Sequence, residues 1–136
     1  MIKPIMKSEF FLRLPSEDAG PDDAATGQDL LDTLHEHERE CVGLAANMIG
    51  VRKRIICVKD GNRTLLMYNP QILEQVNAYQ TSEGCLSLTG ERPCTRYRRI
   101  KVEYLDENFV YRIKNFSGYT AEIIQHEIDH CNGVVV

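Results

Sequence analysis

An α+β fold in a single domain, residues 1–136, is predicted by two helical periods lying toward the two ends of the chain, with short β-branched and aromatic segments between them. Length and composition agree: 136 residues with 43% apolar and 26% charged side chains suffice for one modest core and are far from a disordered or fibrous composition. The expected arrangement is a set of antiparallel strands packed around a C-terminal helix, with a further helix near the N-terminus.

Residues 15–28 hold two prolines, two glycines and a run of acids, so they read as a surface loop leading into a helix. Leu30, Leu31, Leu34 and Cys41 then recur at helical spacing, which places an amphipathic helix over residues 28–39. From Val51 to Tyr104 the pattern changes to short strands, RIICVKD, TLLMYNP, ILEQVNAYQ and RRIKVEYLD, separated by DGN and NP turn signals. FVYRIKNF supplies one more strand. Ser117-Gly118 can then cap a last helix through GYTAEIIQHEIDHCNG, and Asn132-Gly133 provides its stop.

Charge and cysteine usage exclude several classes of function. Residues 1–40 carry four basic and ten acidic groups, and residues 41–136 carry twelve and ten, so the chain is acidic overall at −4. The one local basic cluster, Arg92, Arg96, Arg98, Arg99 and Lys101, reads as the solvated edge of a strand rather than a phosphate-tracking surface, and no direct nucleic-acid binding is expected. Its longest uncharged stretch, Cys41 to Val51, falls well short of the roughly 18 apolar residues of a membrane span. The N-terminus lacks a secretory apolar core, and five cysteines are an odd number without the spacing of a disulfide framework. A cytoplasmic protein with free thiols is expected.

His126, Glu127 and His130 spell H-E-x-x-H within the last helix. Because an α-helix advances about 100° per residue, positions i and i+4 share a face and both imidazoles can reach one metal, with the acid beside it. Only Cys131, Asn132, Gly133 and three valines follow His130, and Cys131 is turned about 100° away around the helix. A third ligand is therefore sought upstream, among Cys41, Cys57, Cys85, Cys94, His35, His37 and carboxylates. Of these, Cys85 has the most unusual setting, in Glu83-Gly84-Cys85-Leu86-Ser87-Leu88, where Gly84 lets backbone approach closely.

Three segments together, GLAANMIG (residues 43–50), EGCLSL (residues 83–88) and QHEIDH (residues 125–130), resemble the three signature motifs of peptide deformylases in order and spacing. The resemblance implies that Cys85, His126 and His130 bind one divalent metal and leave a position open for water, with Glu127 as acid and base. It implies removal of formate from the N-terminal formyl-methionine of new polypeptides, with Fe²⁺ as the metal in cells and Zn²⁺ or Ni²⁺ as alternatives. Partners would be formylated nascent N-termini, with proximity to the ribosome. A thiolate and two imidazoles form a soft donor set, which suits those metals and disfavours Mg²⁺ or Ca²⁺.

In the family, the Leu86 N–H and a glutamine amide stabilise the oxyanion, and this chain has Met48 in place of that glutamine. Met48 donates no hydrogen bond. Asn47 beside it carries an amide, but in an extended segment adjacent side chains face opposite ways. Val42, Gly43, Gly84 and Arg92 fall where the resemblance places substrate contacts, and Tyr119, Glu122 and Ile123 where a pocket for the methionine side chain would be lined. Other departures are Cys41 for a usual Gly, Thr89 for a Pro, and Cys131 for a Leu. Met48 therefore leaves two expectations, a deformylase of reduced activity or a deformylase-like metal protein that recognises peptide N-termini with little turnover.

Overall fold

The computed structural model describes residues 1–136. The chain runs through α1 (Glu9–Leu12), a 3₁₀ turn (Pro21–Asp23), α2 (Ala24–Glu36), β1 (Gly43–Ala45), a second 3₁₀ turn (Ala46–Ile49), β2 (Ile55–Asp60), β3 (Arg63–Gly84), β4 (Glu91–Leu105), β5 (Tyr111–Ser117) and α3 (Gly118–Cys131). The strands form one five-stranded antiparallel sheet in the order β1-β2-β3-β4-β5. Each strand pairs with the next in sequence. The predicted α+β class and both major helices are present. Helix α3 packs against the sheet and buries Ile123, Ile124 and Ile128, while α2 contributes Leu30 and Leu34 to the same core as Ile55, Ile56 and Val58 of β2.

Several local expectations are corrected. Helix α2 begins at Ala24 rather than residue 28, because the 3₁₀ turn opened by Pro21 leads directly into it. The short helix α1, which had no periodic signal, is held by Ser8, whose Oγ accepts from the Phe11 N–H at 3.2 Å. Ser117 precedes α3 as expected, but its side chain makes no capping hydrogen bond. TLLMYNP and ILEQVNAYQ are one strand, and Asn69-Pro70 marks a break in register within β3 instead of a turn between strands. Asn69 takes φ 53 there, and its amide closes a pair with Ala19, accepting from the N–H at 2.7 Å and donating to the carbonyl at 2.9 Å.

The last strand starts at Tyr111, since Phe109 at φ 60 belongs to a tight turn in which Asp106 Oδ1 accepts from the N–H groups of Asn108 and Val110. Cys94 lies within β4.

Candidate metal centre and cleft

Helix α3 is fixed against β4 by Gln125, whose Nε2 donates to the Tyr97 carbonyl and whose Oε1 accepts from the Tyr97 N–H, both at 2.8 Å. A buried amide satisfied by a strand's own backbone sets the rotation of the helix. That rotation turns His126, Glu127 and His130 inward, all three buried. Their ligand atoms lie within 4.8 Å of one another. His126 Nε2 and His130 Nε2 are 3.3 Å apart. A tetrahedral ion about 2.0–2.1 Å from each nitrogen would impose nearly that separation.

Hydrogen bonds and burial orient these groups and set their charge. His126 Nδ1 donates to Glu83 Oε1 at 2.8 Å, which orients the ring so that its Nε2 faces His130. Burial, with the charges of His126 and Arg96, takes His130 down to about 3, so it is a neutral imidazole. Burial opposes the charge on His126, but its hydrogen bonds to Cys85 and Glu83 prevail and raise it to about 10. For Glu83 too, burial is outweighed, and its bonds from His126 and Arg96 hold the carboxyl well below the usual range. Burial pushes Glu127 up to about 7, against the neighbouring charge of His126, and its Oε1 is buried without any hydrogen-bond partner. An orphaned carboxylate oxygen beside two imidazoles fits a divalent ion with bound water.

Cys85 follows β3 in the connection to β4, outside the tight group of three. Burial works against its thiolate, yet a hydrogen bond from His126 and the N–H groups of Leu88 and Ser87 lower its pKa below that of an ordinary thiol.

The centre opens into a cleft of 670 Å³ lined by Cys85, Leu86, Val42, Gly43, Met48, Gly84, His126 and Glu127, with Tyr119, Glu122 and Ile123 of α3 on one wall. His130 lies beneath it, fully buried. Gly43 is needed where β1 passes α3: a Cβ there would stand 2.8 Å from Ile123 Cγ2 and 2.9 Å from Glu127 Oε2. The Leu86 N–H finds no acceptor within the chain, while the Leu86 carbonyl accepts from Lys7 Nζ at 2.8 Å.

Arg92 is the expected substrate-contact residue that the fold leaves outside the cleft lining; it pairs with Glu9 of α1 at 3.4 Å. Asn47 lies in the 3₁₀ turn, not in an extended segment, and its Nδ2 donates to the His130 carbonyl at 2.9 Å, so its amide supports α3 instead of entering the cleft. Met48 is 1% exposed, with its Sδ 3.5 Å from the Ala45 N–H.

One residue read as surface charge belongs to the site. Arg96 is 4% exposed and bonds to Glu83 through Nε and Nη2 and to Asp129 through Nη1, the latter at 2.7 Å. Its signal was the strand's own period: Arg96 shares its parity with Ile100, Val102 and Tyr104, the core face of β4. Strand β5 flanks β4 only from Arg99 to Leu105, so Arg92, Arg96 and Arg98 lie where β4 has β3 as its one strand neighbour, while Arg99 and Lys101 lie between two strands.

The polypeptide deformylase family profile matches residues 6–136, and a Clostridium beijerinckii protein named peptide deformylase is 50% identical over 136 residues, all of this chain and all of that protein. The chain belongs to the peptide deformylase family. The Thermotoga maritima peptide deformylase structure superposes with a TM-score of 0.89 at 30% identity, covering 99% of this chain and 95% of that one. An Acinetobacter baumannii class I type b peptide deformylase bound to Met-Ala-Ser gives 0.87 at 30% identity, covering 99% and 97%. Deformylases are metal-dependent enzymes, and the His126, Glu127 and His130 group is the candidate metal site here. No helix of this deformylase-family chain is long and apolar enough to cross a membrane.

Proposed function

We propose that this chain is a working peptide deformylase that hydrolyses the formyl group from the N-terminal formyl-methionine of newly made polypeptides. The observation that carries it is the buried, unpartnered Glu127 carboxylate beside the two facing imidazoles at the cleft floor. Family membership favours turnover over a binding-only role.

Cys85, His126 and His130 would hold one divalent ion, Fe²⁺ in cells with Zn²⁺ or Ni²⁺ able to replace it. When bound, the ion supplies Lewis-acid polarisation and a water of lowered pKa. Glu127 takes a proton from the attacking water and returns it to the leaving amine, a task suited to a carboxyl raised to about 7. The free Leu86 N–H donates to the oxygen on which negative charge develops. Val42 and Gly43 form the edge along which an extended peptide lies, Gly84 lines the cleft where a Cβ would stand 3.1 Å from the Gly90 carbonyl oxygen, and Arg92 acts from outside the lining. Met48 occupies the position from which the family's amide donates.

The substrate is drawn from formylated nascent chains, in the cytoplasm and near the ribosome, and the Met-Ala-Ser peptide bound by the Acinetobacter baumannii relative is the corresponding product in length and first residue. Formyl-Met-Ala-Ser should release formate while acetyl-Met-Ala-Ser releases little acetate, because Gly43, Ile123 and Glu127 crowd the reacting end of the cleft. Equal hydrolysis of both, or of neither, would overturn the reading.

A further inference from the structure

The two elements that carry the proposed ligands are tied to each other by one buried cation. Glu83 lies at the end of β3, two residues before Cys85, and Asp129 lies on α3 immediately before His130. Arg96 Nη2 is 2.7 Å from Glu83 Oε1, Arg96 Nε is 3.1 Å from Glu83 Oε2, and Arg96 Nη1 is 2.7 Å from Asp129 Oδ2. Glu83 in turn accepts from His126 Nδ1. A single planar guanidinium thus meets one carboxylate on each ligand-bearing element, in a fork whose spacing a lysine ammonium cannot reproduce.

Stability alone does not account for this arrangement. Removing charges from water is costly, and replacing a buried ion network with apolar side chains of similar volume is often neutral or stabilising. What the network supplies is position. Without Arg96, two carboxylates face each other across the joint between β3 and α3, and Glu83 loses the partner that aims it at His126.

We infer that Arg96 is a positioning residue of the metal centre, setting the placement of the Cys85 segment against the His126 and His130 helix through Glu83 and Asp129. This rests on the metal-dependent reading above. It concerns how the ligand set is held together, so its test reads the metal as well as the activity.

The experiment uses full-length protein loaded with Co²⁺. The rate of Co²⁺ loss to a chelator and the thiolate-to-cobalt absorption band are followed in wild type, Arg96→Lys, Arg96→Met and Asp129→Asn, with circular dichroism as the check on folding. Arg96→Met should lose Co²⁺ about 10- to 100-fold faster and show a shifted or weakened band, with Arg96→Lys between it and wild type. kcat should fall more than KM rises. A folded Arg96→Met protein with wild-type Co²⁺ loss and an unchanged band would overturn the inference. If Arg96→Met does not fold, Asp129→Asn decides: faster loss supports the role and a wild-type rate contradicts it. Wild-type protein that takes up no Co²⁺ would overturn the metal-dependent reading itself, a result distinct from unaltered variants of a protein that binds it.

Discussion

Replacing Met48 with glutamine should make this enzyme faster, with kcat rising by up to about 10² to 10³ and KM little changed. An oxyanion donor contributes that much because its hydrogen bond strengthens as charge develops, so it acts on the transition state more than on bound substrate. The position is ready for an amide. Met48 lies in the 3₁₀ turn after β1 and lines the cleft, and its sulfur sits 3.5 Å from the Ala45 N–H. A glutamine oxygen would accept that N–H more strongly than a thioether does, which would direct the amide nitrogen toward the cleft. Asn47 does not already fill the role, since its amide is committed to the His130 carbonyl. Steady-state kinetics on formyl-Met-Ala-Ser with matched metal loading give the answer. If Met48→Gln is no faster than wild type, the oxyanion is held by other groups.

Glu127→Gln should have an effect as large in the opposite direction. The substitution keeps shape and volume beside Gly43 and Ile123, where the packing tolerates nothing larger, but removes the group that accepts a proton. Hydrolysis should fall by about 10² or more while bound metal, measured by elemental analysis, stays at the wild-type level. Activity within a few-fold of wild type would show that another group moves the proton.

The part of this site that could be read from sequence was the part written in local periods. His126 and His130 are four residues apart on a helix whose apolar positions are themselves periodic, so their convergence on one face needed no tertiary information. Cys85 stood out through its setting after Gly84 and then through its motif, because a residue in a turn between long strands leaves no period. The antiparallel sheet was legible for a similar reason, since alternating β-branched runs and turn residues are local signals. What required the third dimension was misread. β3 looked like two strands because Asn69-Pro70 resembles a turn, while in the fold the Asn69 amide is paired with Ala19, far away in sequence.

Arg96 looked like solvated charge because its partners, Glu83 and Asp129, are brought to it only when β3, β4 and α3 assemble. Asn47 shows the same limit: the doubt that it could replace Met48 was justified, but through its bond to α3 and not through extended geometry.

Formate release measured while Fe²⁺ or Ni²⁺ is titrated, without oxygen, into metal-free protein tests the metal-dependent mechanism most directly. Formate release from formyl-Met-Ala-Ser should be absent at the start, rise in proportion to added metal, and level off at about one ion per chain, as expected for one site with three protein ligands. Cys85→Ser protein should bind little metal and show no such rise. Formate release by metal-free protein at the loaded rate, or a Cys85→Ser titration identical to that of wild type, would contradict it, the second result pointing to Cys41 or Cys94 as the sulfur ligand.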